Sequence, residues 1–168
     1  VSIIEDWLLA FKVPVFSKKA KRILVAKPKF YYFDAGVYRS IRPKGPLDNA
    51  SEISGTVLET LVAQHLRAWI SYSRQEGGLY FWRTKSGLEV DFVIYGEIGF
   101  YAFEVKSAAH VNNKDLKGLK ELRKDYPQIN CFLLYMGAET LRINDIVCMP
   151  VETFLLSLIP NDTSWAAA

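Results

Sequence analysis

The sequence predicts an α/β fold, a mixed central sheet flanked by helices with the core order α-β-β-β-α-β. Three observations predict it. An apolar stripe at helical spacing begins at Ser51. Three strand-like stretches joined by very short turns follow it. A lysine-rich amphipathic segment then leads into a strand that is apolar at nearly every position, the signature of burial on both faces.

The elements follow in order. Residues 1–30 open with a helix-like apolar group (Ile3, Ile4, Trp7, Leu8), after which "FKVPVF" and "RILVAKPKF" flank the basic "SKKAK". Two short strands joined by a basic turn are expected there. This is either the end of a winged-helix unit or a solvated hairpin whose lysines keep an edge soluble. "KFYYFDAGVYRSI" reads as a strand, a turn at Asp34–Gly36 and a short helix. "RPKGPLDNAS" gathers Pro, Gly, Asn, Asp and Ser, so residues 42–51 form a loop and the best divide in the chain. The division expected is an N-terminal unit over 1–41, an α/β domain over 51–159 and a tail over 160–168. The chain starts at Val1 and ends "SWAAA", which reads as a piece of a longer protein with an added alanine tail; Ala166–Ala168 are left out of the fold.

In the α/β domain, Ile53, Val57, Leu58, Leu61, Val62, Leu66, Trp69 and Ile70 place one apolar face on a helix from Ser51. Gly55 falls early in it, where close packing is expected. "LYFWRT", "LEVDFVIY" and "FYAFEVKSA" form a three-strand meander through the turns "KSG" and "GEIG". "VNNKDLKGLKELRKDYP" is an amphipathic helix with Leu116, Leu119 and Leu122 inside, ended near Pro127. "INCFLLYMG" supplies the doubly buried strand, and "DIVCMPVETFLLSLI" a short strand and a closing helix.

Half of the 168 residues are hydrophobic, enough to bury a core and to exclude global disorder. A formal charge of +3 allows a nucleic-acid partner without requiring one, because phosphate binding depends on local clusters. Cys131 and Cys148 lie in apolar runs with no CxxC or histidine spacing, so they are expected as small buried hydrophobes in a reducing cytoplasm. No apolar run is long enough to span a membrane. No GxxxxGK[ST] occurs, so this chain does not bind ATP through a P-loop of its own.

The chemistry-bearing residues concentrate in "EVDFVIYGEIGFYAFEVKS". Alternate residues of a strand share a face, so Glu104 and Lys106 point the same way, and Asp91 on the preceding strand can lie across from Glu104. Glu59, within the apolar run of the long helix, either faces the sheet or is turned to solvent. Mg²⁺ prefers hard oxygen ligands and is commonly held by one or two carboxylates plus water and substrate phosphate. Asp91 and Glu104, with the Val105 carbonyl, would supply such a set. Lys106 would orient or deprotonate the attacking water, or steady the phosphate. The competing reading is a solvated hairpin face with a cross-strand ion pair, worth about 0.2–1 kcal/mol. The apolar neighbours Phe92, Val93, Ile94, Ala102, Phe103 and Val105 favour the site. Glu89 shares the strand face of Asp91 and is a further ligand, an outer acid or an ordinary solvated charge. Arg83, Lys85, Lys117 and Lys120 are either phosphate contacts or solvated charges. His65 is expected as a packing residue and His110 in a loop.

Asp91, twelve intervening residues, and Glu104-Val105-Lys106 resemble the D…ExK pattern of the PD-(D/E)XK nuclease superfamily. The preceding helical Glu59 and the α-β-β-β-α-β order match its core; Val90 stands where that pattern usually has proline. "KFYYFDAGV", "GTVLETLVAQHL", "YFWRTKSGLEVDFVI" and "FEVKSA" together resemble the DUF4143 domain over roughly residues 25–155. That resemblance implies a module at the C-terminal end of prokaryotic AAA-type ATPases, downstream of a winged-helix segment. Its implied activity is Mg²⁺- or Mn²⁺-dependent cleavage of DNA. Asp91, Glu104 and Val105 would hold the metal, with Lys106 and Glu59 catalytic. The alternative is a non-catalytic module of the same fold that docks the ATPase on DNA or a protein; a structural or oligomerisation role is a third. Expected partners are nucleic acid and the ATPase part of the same protein, in the cytoplasm.

Overall fold

The structure is a computed structural model that describes residues 10–20, 23–24, 27–34, 36–37, 40 and 50–167. The expected N-terminal helix at Ile3–Leu8 and most of the 42–51 loop lie outside these residues.

Six strands form one mixed sheet. In chain order the elements are β1 (Ala10–Val13), β2 (Lys29–Tyr32), α1 (Ala50–Tyr72), β3 (Gly77–Arg83), β4 (Glu89–Gly96), β5 (Gly99–Lys106), α2 (Lys117–Asp125), β6 (Asn130–Tyr135), β7 (Leu141–Ile143), β8 (Ile146–Pro150) and α3 (Val151–Ser157). Short 3₁₀ turns precede α2 (Asn113–Leu116) and close the chain (Ser164–Ala167). The large sheet runs β3-β4-β5-β6-β8-β7, while β1 and β2 pair with each other in a separate ribbon. β3, β4 and β5 are the antiparallel meander, and β5, β6 and β8 are mutually parallel. The parallel step from β5 to β6 needs a crossover, which α2 supplies.

Local chemistry sets these boundaries. The β3–β4 turn is closed by Thr84, whose Oγ1 accepts from the Leu88 N–H at 3.1 Å, and by Gly87 at φ +87°, a conformation that glycine adopts without strain. β7 was not expected from the sequence. It pairs with β8 through Asn144-Asp145, both at positive φ as a type I′ turn requires.

The sheet is covered on both faces. α1 lays Val62, Leu66 and Trp69 on Phe92, Ile94, Phe103 and Phe132, joined by Phe154 of α3. On the other face, Leu116, Leu119 and Leu122 pack on Val90, Val93, Ala102 and Leu133. Cys131 and Cys148 are buried there as free thiols. Trp165, in the stretch read as a tail, is 4% exposed and contacts Trp69, Tyr101, Phe103, Phe132 and Phe154; Ala166, left out of the fold above, packs against the same cluster.

The N-terminal strands differ from the expected basic hairpin. β1 pairs with "KFYY" rather than with the segment just after "SKKAK". Residues on either side of that basic stretch instead touch β3, through the bridges Val15–Phe81 and Leu24–Thr84. Phe11, Val13 and Tyr31 are buried with the α1-side cluster and Phe16 with the α2-side cluster. Among the described residues of this stretch, Phe11, Val13, Phe16 and Tyr31 thus share the cores of the α/β domain. Gly55 makes no tight contact: a Cβ there would meet only Ser107 Oγ at 3.8 Å.

Candidate functional site

The site forms where β4 and β5 part. Their pairing ends at Phe92–Phe103, one residue before Asp91 and Glu104 would face each other. On its other side β4 slips register: Tyr80 pairs with Val93 but Trp82 with Val90, leaving Asp91 and Phe92 opposite Phe81. An extra residue of this kind bends a strand and re-aims its side chains. The Asp91 carboxylate accordingly takes a place in the ladder, with Oδ2 accepting from the Val105 N–H at 2.9 Å. The expected part for Val105 was its carbonyl, but it is its N–H that meets Asp91, while its side chain lies in the α1-side core.

Two ion clusters surround this fork. In one, Lys106 Nζ lies 2.6 Å from Glu104 Oε1. In the other, Lys29 Nζ contacts Glu59 at 3.0 Å, Asp91 Oδ1 at 3.5 Å and Glu89. Glu59 is thus turned toward the sheet, where the Tyr31 hydroxyl also donates to it. Lys29 and Tyr31 alternate on β2 and share one face, which aims both at the carboxylates. Arg83 Nε approaches Glu89 at 3.4 Å, so its guanidinium lies against an acid, half exposed. Lys85 is exposed in the β3–β4 turn. Lys117 is exposed and Lys120 half-buried on α2. The helix that carries them reaches the site closely, because Gly118 lies against the Glu89 carbonyl with no room for a Cβ. His65 and His110 are exposed.

Burial and like charge strain the acids. Burial, then the Glu59 charge, pushes Asp91 up to about 6, against the pull of Lys29. Burial, then Asp91, pushes Glu104 up to about 8, against Lys106. Burial opposes the Lys106 ammonium, but Glu104 outweighs it and the group stays above its ordinary value. Lys29 follows the same rule, with Asp91 and Glu59 outweighing burial. Burial, then Glu59, raises Tyr31. Glu104 is 8% exposed, and its Oε2 has no hydrogen-bond partner among the described residues. An unpaired buried carboxylate oxygen is costly to leave so.

These residues fit a divalent cation of the magnesium type. The donors are hard oxygens, the neighbouring acids repel one another, and a buried oxygen lacks a partner. Among the described residues no three Asp, Glu, His or Cys side chains form a ready cage. Asp91 and Glu104 would supply one or two carboxylates, the remaining positions falling to water and substrate, as Mg²⁺ commonly has.

Sequence reasoning missed Lys29 and Tyr31. The usable signal was their alternation in "KFYY", a polar and an amphipathic residue on the strand face opposite the exposed Phe30. Among the described residues no helix is long and apolar enough to cross a membrane. Comparison with known proteins gives one family: the model described as "Domain of unknown function (DUF4143)" matches residues 54–154. No curated protein matches the chain.

Proposed function

Because the chain belongs to the DUF4143 family, with the matched residues 54–154 holding Glu59, Asp91, Glu104 and Lys106, we propose that it is a metal-dependent nuclease domain of the PD-(D/E)XK kind that acts on DNA. The observation that carries the reading is the pair Asp91 and Glu104 at the strand fork, with a buried, unpartnered Glu104 oxygen beside the Lys106 ammonium. Asp91 and Glu104 would hold Mg²⁺ or Mn²⁺. When bound, the ion supplies an acidified water and neutralises phosphodiester charge.

The protein's own groups define the remaining roles. Lys106, held protonated by Glu104, acts as a cationic donor to phosphate or water rather than as a base at neutral pH. The Val105 N–H fixes the Asp91 carboxylate, and so its other oxygen, before substrate arrives. Glu59 and Glu89 act at one remove, through Lys29. Lys117 and Lys120, on the helix packed against β4, would track a DNA backbone. The winged-helix segment, the AAA-type ATPase partner and a cytoplasmic location belong to the same reading.

Nicking of supercoiled plasmid tests it. Cleavage should require Mn²⁺ or Mg²⁺ and disappear with EDTA or in Glu104→Ala. Cleavage that survives Glu104→Ala, or its absence from the folded wild-type chain with Mn²⁺, would sink the proposal. A second reading has its own support: Lys29 already satisfies three acids, as in a structural ion network, which suits a non-catalytic DNA-docking module. That module would bind DNA in a salt-dependent way untouched by Glu104→Ala.

A further inference from the structure

Lys29 lies on β2, outside the matched residues 54–154, yet its ammonium occupies the middle of the acidic pocket. An ammonium has three protons to donate. Here Glu59 and Glu89 lie within hydrogen-bond distance of it and Asp91 at 3.5 Å, so three acids crowd its ammonium and leave little of it for a phosphate. Asp91 is held from both sides: Oδ2 by the Val105 N–H, and Oδ1 by Lys29. The oxygen that the backbone leaves to a ligand is thus the one that Lys29 covers.

We propose that Lys29 is a displaceable counter-cation, which neutralises the carboxylates in the metal-free protein and is driven out when a divalent ion binds Asp91. The inference rests on the metal-site reading above and adds how the site is loaded. Charge arithmetic favours exchange over addition. Around a bound divalent ion Glu59, Glu89, Asp91 and Glu104 are all ionised, and with Lys106 and Arg83 protonated the cluster without Lys29 carries −2. A divalent ion entering beside Lys29 would make it +1; one replacing Lys29 makes it neutral. Exchange needs no backbone movement, since a lysine stem is long and flexible and Lys29 is the first residue of its strand. The β2 backbone keeps its own ties: pairing to β1, and the Tyr32 carbonyl accepting from Gln64 Nε2 at 3.2 Å. The β2 segment, before the matched residues, therefore sets how tightly the pocket takes metal.

The test is calorimetric titration of the full chain with Mn²⁺ alone, in wild type, Lys29→Met and Glu104→Gln. Lys29→Met should bind Mn²⁺ at least tenfold more tightly than wild type, and Glu104→Gln at least tenfold more weakly. Binding by wild type that is unchanged or weakened in Lys29→Met overturns the displacement while leaving the metal site standing. No Mn²⁺ binding by either wild type or Lys29→Met overturns the metal site, and the inference with it. A second measurement avoids any folding defect of the variant: acetylation of lysines in the wild-type chain, read residue by residue by mass spectrometry. Mn²⁺ should raise labelling of Lys29 several-fold; unchanged or reduced labelling contradicts displacement.

Discussion

Replacing Glu104 with Gln removes one charge from the pocket and keeps its shape, so it isolates the electrostatic strain that the folded chain stores there. Burial and Asp91 raise the Glu104 pKa from an ordinary 4.5 to about 8. The folded state then binds this proton more tightly than the unfolded state. Between these two values the folded chain carries the extra proton, so stability falls as pH rises; below the ordinary value both states are protonated and stability is at its full value, no longer changing with pH on this account. Each pH unit in that window is worth about 1.4 kcal/mol, so going from pH 5 to pH 8 costs wild type about 4 kcal/mol that Glu104→Gln does not lose. For a chain of this size that corresponds to roughly 10 °C in melting temperature. The pull of the Lys106 charge, which favours ionised Glu104, is already contained in the raised Glu104 pKa and leaves the direction of the change as stated. Urea unfolding in EDTA at several pH values measures it: the stability difference should swing toward Glu104→Gln as pH rises. Parallel curves for the two proteins would refute the claim that Glu104 is an ionisation-strained buried acid.

Other outcomes follow from the same structure. Adding Mn²⁺ at pH 8 should raise the melting temperature of wild type and leave Glu104→Gln nearly unmoved, which differential scanning fluorimetry reads directly. Gly118→Ala should cost about 1–3 kcal/mol, because its methyl would press on the Glu89 carbonyl; unfolding by urea checks it. Truncation after Asn161 removes Trp165 from its five aromatic neighbours and should cost about 3–5 kcal/mol, detectable as a fall in denaturation midpoint. Lys117→Ala with Lys120→Ala should weaken DNA binding and flatten its salt dependence, by a log–log slope of up to about 2, in a fluorescence anisotropy titration.

Much of the α/β architecture could be read before coordinates because its signals are local. The α1 stripe from Ile53 to Ile70, the turns "KSG" and "GEIG", and the Leu116/Leu119/Leu122 face each act within one element. What escaped depended on distance. β7 is three residues long and is held by Asn144-Asp145, a weaker turn signal than Asn-Gly. Trp165 looks like part of a tail until Phe103, Phe132 and Phe154 are brought around it. The N-terminal strands were expected to pair across "SKKAK", a short loop, yet β1 reaches past it to Lys29–Tyr32, a register that no short-range pattern announces. The same long-range pairing hides the pocket's second cation. Asp91, Glu104 and Lys106 sit close in sequence and stood out; Lys29 lies thirty residues before Glu59 and becomes part of the site only once β2 packs against α1. The slip in β4 is equally invisible in "EVDFVI", although it is what turns Asp91 into the fork.

The most direct test of the central claim is a crystal of the chain soaked in Mn²⁺ and measured for anomalous scattering. The account predicts a peak at the β4–β5 fork within ligand distance of the Asp91 and Glu104 carboxylates, with the Lys29 ammonium moved off Asp91. A fork without a peak at millimolar Mn²⁺, or a peak bound to other residues, would contradict it.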